Sequence, residues 1–220
     1  MSKSTYQLIF YFFIGFSILS CKKEPISTNN NSGTTNNVIE VYAGVHDTSF
    51  NYYEFPSPLE ISIAWDTQNL YGIGHDSLDI DSNGPHNLFI SLFALNQDSI
   101  HLLTGMPNPF PSCMLNSQNG LEIAFYSESY SIGLGQTNTA TFVDRLDFNE
   151  RIDLISDWQT NLKMWSENPG GAGTPPYGHW YYATSENYVA IKMTGDKYGW
   201  IKINASDPKN PKIVSYAIQK

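Results

Sequence analysis

Residues 188–203 decide the fold of this chain, and they read YVAIKMTGDKYGWIKI. In the first half, Val189, Ile191 and Met193 alternate with smaller or more polar side chains. Successive side chains of an extended chain point to opposite sides, so this period of two is typical of a β-strand that buries one face. The segment therefore predicts a half-buried strand at Tyr188–Thr194 and a second strand at Tyr198–Asn204.

Similar segments recur along the chain. Leu88–Leu95 is apolar on both faces apart from Ser91, which favours a central position in a sheet. Further strands are predicted at Val38–Ala43, Glu60–Trp65, Ser99–Thr104, Leu121–Glu128, Leu162–Trp165 and Lys212–Ile218. Gly, Pro, Asn and Asp cluster at 105–120, 167–178 and 205–211 and predict turns there. The one candidate helix is Phe148–Asn161.

The number and spacing of these segments indicate a fold class. Many short strands separated by turns, with 14 Tyr and 12 Phe to fill a core, predict an all-β protein built as an antiparallel two-sheet β-sandwich, similar to a jelly roll. Residues 38–220 are long enough for one such domain, and no internal linker interrupts them.

The first 20 residues have the features of an export signal. Lys3 is their only charged side chain, and the largely apolar run Leu8–Leu19 is shorter than the roughly 20 residues of a membrane-spanning helix. The run ends in Ile18-Leu19-Ser20-Cys21, which resembles the lipobox of bacterial lipoproteins. The resemblance implies cleavage after Ser20, attachment of a diacylglycerol to the Cys21 sulfur, and acylation of the new N-terminus. An ordinary signal peptide cut nearby, or an uncleaved anchor, is the alternative.

The residues after the lipobox are consistent with a lipid-anchored protein. Residues 21–37 begin with the predicted lipidated Cys21 and continue as a polar stretch without periodicity, which predicts a disordered tether. Lys22 stands where an aspartate would resemble an inner-membrane retention signal, so we expect a lipid-anchored protein of the cell envelope, in the outer membrane. Removal of residues 1–20 takes away only Lys3 and leaves 11 basic and 21 acidic side chains, a formal charge of −10. Nucleic acid is therefore not an expected partner.

A second resemblance lies near the C-terminus. The segment Tyr198-Gly199-Trp200-Ile201-Lys202-Ile203, followed by Tyr216-Ala217, is similar to the closing hairpin of a loose group of exported bacterial β-sandwich proteins. The group includes ectodomains of sorting-tag proteins and many uncharacterised lipoproteins. It has no established catalytic residues, so the resemblance implies a fold and not an activity.

One loop has a pattern of metal ligands. Asp79, Asp81, Asn83 and Gly84 follow the D-x-D-x-N-G spacing of calcium loops, and Asn87 occupies the ninth position. Ile90 stands where an EF-hand loop has a bidentate Glu, and no helix pattern flanks the loop. Calcium is therefore the only candidate cofactor, and a simple turn rich in Asp, Asn and Gly is the alternative.

An aromatic segment is the candidate ligand-binding surface. Tyr177, Trp180 and Tyr182 follow Thr174-Pro175-Pro176, and flat rings of this kind stack on the apolar faces of sugars. The alternative is that these rings pack in the core.

Motifs of catalysis are missing from the sequence. It contains no G-x-S-x-G, no H-E-x-x-H and no Walker-type phosphate loop, and its second cysteine, Cys113, has no identifiable base. We therefore expect a non-enzymatic, lipid-anchored module that binds an envelope protein or glycan, or serves as an accessory subunit. An envelope hydrolase acting on polysaccharide or peptide is the alternative.

Overall fold

The computed structural model describes residues 40–66, 71–95, 112–133, 136–166 and 177–220. These residues are mostly β-structure, which confirms the predicted all-β class. The predicted signal peptide, Cys21 and the tether lie outside them. The strands are β1 (Phe50–Glu60), β2 (Ala64–Asp66), β3 (Tyr71–Leu78), β4 (Leu88–Leu95), β5 (Ser112–Ser117), β6 (Leu121–Gly133), β7 (Gln136–Val143), β8 (Trp158–Gln159), β9 (Asn161–Trp165), β10 (Glu186–Met193), β11 (Lys197–Asn204) and β12 (Lys212–Gln219). A short 3-10 helix, η1, covers His179–Tyr182.

The strands form a curled, mixed sheet in which neighbours follow the order β1-β12-β11-β10-β6-β7-β9-β5-β4-β3-β2, with β8 paired to β6. Pairing is antiparallel except between β7 and β9, which meet in parallel at Phe142 and Lys163. Strand β6 is 13 residues long and joins the two halves of the sheet. Its first residues pair with β10, and its remainder, from Phe125, pairs with β7.

Residues 188–203 lie in β10 and β11, as predicted. The turn between them contains Gly195 and Asp196, which both have positive φ values, 86° and 56°, as tight hairpin turns require. Gly199 lies where β11 crosses closest to β12: a Cβ atom there would collide with the carbonyl oxygen of Ala217 and lie 2.9 Å from the Cα of Ile218. The two strands therefore approach each other closely at this glycine.

The main core contains side chains from strands of both halves of the sheet. The main cluster of buried side chains includes Leu92 of β4 and Leu115 of β5 from one half, and Ile191 of β10 and Ile201 of β11 from the other. Alternate residues of β10 and β11, such as Ala190, belong to a second cluster on the opposite face. Because that face is covered by segments around 41–50 and 146–158, this half of the sheet is buried on both sides.

Four predicted segments need correction. Within the turns predicted at 105–120, residues Ser112–Ser117 form strand β5, and the residues before them lie outside the described ranges. The helix predicted at Phe148–Asn161 is wrong: the segment forms turns and the short strand β8, because its backbone bonds to residues 41–43, for example from Ile152 N to Val41 O at 2.7 Å. The strand predicted at Glu60–Trp65 is interrupted at 61–63, where Ile61 N donates to Pro211 O at 3.0 Å. Of the strand predicted near Val38–Ala43, the described residues retain an isolated bridge from Tyr42 to Arg151.

The strand predicted at Ser99–Thr104 falls outside the described ranges. In the ranges that are described, no helix has the length and apolar character needed to cross a bilayer.

Candidate functional site

The predicted calcium loop connects β3 to β4 and is organised by hydrogen bonds within the protein. The carboxylate of Asp79 accepts from the backbone N–H of Asn83 at 3.2 Å and of Gly84 at 2.8 Å. Burial would raise the pKa of Asp79, but the hydrogen bonds from Gly84 and its neighbours outweigh this effect and lower the pKa. The negative charge is thus stabilised by donors of the loop itself.

The other residues of this loop also bond to one another. Asp81 accepts from Asn83 Nδ2 at 2.8 Å and from Asn87 Nδ2 at 3.0 Å. Asn87 is buried, and its Oδ1 accepts from Ile80 N at 2.9 Å. The structure therefore brings Asp79, Asp81, Asn83 and Asn87 together, as a hydrogen-bonded turn. Across the described ranges, no group of three or more His, Cys, Asp or Glu side chains is arranged to hold a metal ion.

The predicted aromatic surface is divided by the fold. Trp180 is 0% exposed in the main core, and its Nε1 donates to Asp144 O at 3.3 Å, so this ring follows the packing alternative and is not available to a ligand. The cause is that η1 packs against β9 and turns this ring inward. Tyr182 is 56% exposed, and Tyr177 is half-buried beside Ser166, with which it exchanges two backbone hydrogen bonds.

Tyr177 and His179 instead meet aromatic residues of β6. His179 stacks on Tyr126, with ring centroids 4.1 Å apart and an interplanar angle of 13°, and its backbone N–H donates to the Tyr126 hydroxyl at 2.9 Å. Tyr177 lies against Tyr130, with centroids 4.4 Å apart. Two ring pairs therefore stand side by side on one face of the long central strand, and they form the aromatic part of the candidate site.

Glu128 lies between these ring pairs. Residues 126, 128 and 130 point to the same side of β6, and their partners on β7 are Phe142, Ala140 and Asn138. Glu128 Oε2 is buried, and it has no hydrogen-bond partner. We call the set of Tyr126, Glu128, Tyr130, Tyr177 and His179 the β6 aromatic face.

An acidic cleft borders this face. It has a volume of about 470 Å³, and its lining residues are Phe125, Tyr126, Ser127, Asp144, Leu154, Ile155, Ser156 and Asp157. Two of them are carboxylates, and none is Lys or Arg. Burial raises the pKa of Tyr126 to about 12, and the negative charges of Glu128 and Asp144 and a side-chain hydrogen bond to Glu128 add to this shift, although the hydrogen bond from His179 opposes it. The cleft and the β6 aromatic face thus share Tyr126, and the cleft places two carboxylates beside this face.

Cys113 belongs to the core and not to the site. Its side chain is 0% exposed, its Sγ lies 3.6 Å from Met164 Sδ, and burial strongly raises the pKa of the thiol. A thiol that stays protonated and enclosed is a poor nucleophile.

Sequence analysis missed Tyr126, Glu128 and Tyr130. The predicted strand Leu121–Glu128 ended short of the last ring, but the letters YSESY at 126–130 do contain a signal, since two rings flank a carboxylate on one side of a strand. Its pairing with Tyr177 and His179, about 50 residues away, depends on the fold. No protein-family model matches the sequence, and neither a curated protein nor a solved structure matches the chain.

Proposed function

We propose that this protein is a lipid-anchored, non-enzymatic binding module of the cell envelope, attached through Cys21 to the outer membrane. It binds an envelope protein or glycan with the β6 aromatic face. The observation that carries the proposal is the placement of two aromatic pairs around a carboxylate with an unpaired, buried oxygen. Binding sites combine apolar rings with a few polar groups in this way.

The fold suits a module that presents one face. We further propose that the curled sheet acts as a two-layer sandwich, similar to a jelly roll, because its main core takes side chains from strands of both halves. Packing on both sides of β10 and β11 buries that half of the sheet, and β6 connects it to the half that carries the β6 aromatic face. The sheet thus supports the residues of this face.

The anchor is tested by metabolic labelling. Cells that express the full chain are grown with labelled palmitate, and the wild type is compared with Cys21→Ser. The proposal predicts labelled protein in the outer-membrane fraction and the loss of both label and fractionation in the variant. An unlabelled wild type, or a variant that fractionates in the same way, contradicts the anchor.

The binding role is tested by crosslinking in intact envelopes. Asn138 is exposed, and its Nδ2 lies 3.3 Å from the Tyr130 hydroxyl, so a photoreactive residue at this position reports on the β6 aromatic face. The matched control places the same residue at Lys209, an exposed position in the turn between β11 and β12. The proposal predicts a discrete adduct from position 138 that Glu128→Gln weakens, and no such adduct from position 209. Equal adducts at both positions contradict it.

The hydrolase alternative has one observation in its favour, the presence of Asp144 and Asp157 in the same cleft. Two carboxylates that flank a substrate are the requirement for glycoside hydrolysis. Both side chains already accept local hydrogen bonds, Asp157 from Ser156 Oγ at 3.0 Å and Asp144 from Arg145 N at 2.9 Å. Release of reducing ends from envelope polysaccharides, lost in both Asp144→Asn and Asp157→Asn, would establish this activity, and its absence leaves the binding module.

A further inference from the structure

A polar cavity opens where the turns at one end of the sheet meet. Its volume is about 370 Å³, which is within the range of small-molecule sites. Asn51 of β1 and Ile218 and Gln219 of β12 line it from one half of the sheet, and Asp81 and Asn83 of the β3–β4 loop line it from the other. The cavity therefore lies at the mouth of the space that the two halves enclose.

The two apolar residues of its lining belong to the main core. They are Met193 and Ile218, which are 8% and 2% exposed. Ile218 lies directly opposite Asn51 in the pairing of β1 with β12, so an amide and an aliphatic side chain are neighbours in the lining. A small apolar surface is thus bordered by polar groups, as in sites that bind small molecules.

The turns around the cavity are fixed by hydrogen bonds. The β5–β6 turn contains Asn119, with a φ of +54°, and Gly120, whose carbonyl oxygen accepts from Thr194 N of the β10–β11 turn at 3.0 Å. On the opposite side, the Tyr216 hydroxyl of β12 donates to Asp79 O of the β3–β4 loop at 3.3 Å. These bonds hold both walls before any ligand arrives, which reduces the entropy lost on binding.

Several polar groups of the lining are available to a ligand. Within the described chain, the side-chain amides of Asn51 and Asn119 have no hydrogen-bond partner. Gln219 Oε1 accepts from Tyr198 N at 2.8 Å, which orients this side chain and leaves its amide nitrogen to donate. Each amide offers both donors and an acceptor. Ligand hydroxyls can therefore replace the water that these groups bind when the cavity is empty.

The charges of the lining favour a neutral ligand. Its two charged residues, Asp81 and Lys197, have opposite signs. Both oxygens of Asp81 already accept from side-chain amides, one from Asn87 at 3.0 Å and the other from Asn83 at 2.8 Å. The remaining polar groups are neutral amides and a hydroxyl. Amides that donate and accept beside a small apolar surface match a sugar, which has hydroxyls on its edge and C–H groups on its face.

We propose that this cavity is a second binding site, for a neutral carbohydrate, with the sugar hydroxyls on the amides of Asn51, Asn119 and Gln219 and a C–H face on Met193 and Ile218. The inference goes beyond the proposed function, which uses the β6 aromatic face. Residue 119 lies seven positions before residue 126, roughly 23 Å along an extended strand. The two sites are therefore separate, and either can fail while the other stands.

The test is a titration of the full-length protein followed by saturation-transfer NMR, in a detergent without a sugar headgroup and with a chelator present. Maltose, cellobiose, mannobiose and chitobiose are the carbohydrate probes, and dialanine is a zwitterionic probe of similar polarity. We expect at least one disaccharide to bind about tenfold or more tightly than dialanine, as one or two additional hydrogen bonds would give.

Matched variants locate the binding. Asn119→Asp keeps the shape and a residue type that tolerates a positive φ, but it removes the amide donors. It should weaken disaccharide binding about threefold to tenfold, and so should Asn51→Ala. Asn149→Asp is the control, because Asn149 is also exposed, has a φ of +69° and lies outside the lining. The control should bind as the wild type does, and both Asp variants should melt at the same temperature.

Four results would overturn the inference. They are failure of all four disaccharides to bind, dialanine binding as tightly as the best disaccharide, binding that neither Asn51→Ala nor Asn119→Asp weakens, or an equal loss in Asn149→Asp. A failed titration beside a normal adduct from position 138 removes the carbohydrate site and leaves the proposed module. A titration that succeeds while that adduct is missing does the reverse.

Discussion

Gly178 controls the position of the segment that carries Tyr177 and His179, and replacing it with alanine tests the fold at the site. Its φ of +103° is rarely adopted by residues with a side chain, and an added Cβ would collide with the carbonyl oxygen of Met164 and lie 2.9 Å from the Cα of Trp165. The unfavourable backbone conformation costs about 1–3 kcal/mol. Forcing a methyl group against the backbone of β9 costs about 1–3 kcal/mol more. We expect Gly178→Ala to lose about 2–6 kcal/mol of unfolding free energy.

Gly84 is a matched control, because it also has a φ of +103° but no atom lies within 4 Å of its added Cβ. Gly84→Ala should therefore lose only the conformational part, about 1–3 kcal/mol. The assay is thermal and urea unfolding of both variants beside the wild type. At about 2–4 °C per kcal/mol for a domain of this size, Gly178→Ala should melt about 5–20 °C lower. Equal losses in the two variants would refute the close approach of Gly178 to β9.

Three further predictions concern other parts of the structure. Cys113 should resist a water-soluble thiol reagent in the native protein and react at once in denaturant, because the core encloses the thiol and burial raises its pKa. Fast labelling of the native protein would contradict the position of Cys113 in the core. The hydrogen bond from Arg151 lowers the pKa of Asp153 in the folded protein. The ionised Asp153 therefore contributes its full stabilisation above the pKa of the unfolded chain, about 3.9, and this stabilisation is lost as the pH falls through the lowered folded-state pKa. Asp153→Asn should reduce the acid-induced loss of unfolding free energy, and an unchanged pH profile would refute this. If the Asp79–Gly84 loop binds calcium, calcium should raise the melting temperature of the wild type, a chelator should reverse this increase, and Asp81→Ala should show no increase. Identical wild-type melting curves with calcium and with chelator would contradict the calcium prediction.

The strands that the sequence predicted well have strict alternation or an uninterrupted apolar run. Predicted Leu88–Leu95 coincides with β4, and the pattern at 188–203 is found in β10 and β11. Strands without that signal were missed. Strand β1 was missed because it contains Pro56 and Pro58. The strand tolerates these prolines because it lies at the edge of the sheet, and a bulge interrupts its pairing with β12 at this point. Strand β7 was missed because its sequence is mostly polar, and half of its residues are exposed.

The site was predictable only in part, because residues that are neighbours in the sequence occupy different environments in the fold. Trp180 enters the core while Tyr182 remains exposed, and nothing in the local sequence distinguishes the two rings. Tyr177 belongs to the predicted aromatic segment, but the ring that it contacts, Tyr130, lies on β6, 47 positions earlier in the chain. Contacts of this kind follow from tertiary pairing and not from periodicity.

The most direct test of the central claim, that the β6 aromatic face is where this protein binds its partner, is oxidative footprinting of tyrosines in intact envelopes and in the purified protein. Tyr52 and Tyr53 on β1, 39% and 46% exposed, are internal references. The account predicts that Tyr130 and Tyr177 are labelled less in envelopes than in purified protein, while Tyr52 and Tyr53 are labelled equally. Unchanged labelling of Tyr130 and Tyr177, or protection at β1 instead, would contradict it.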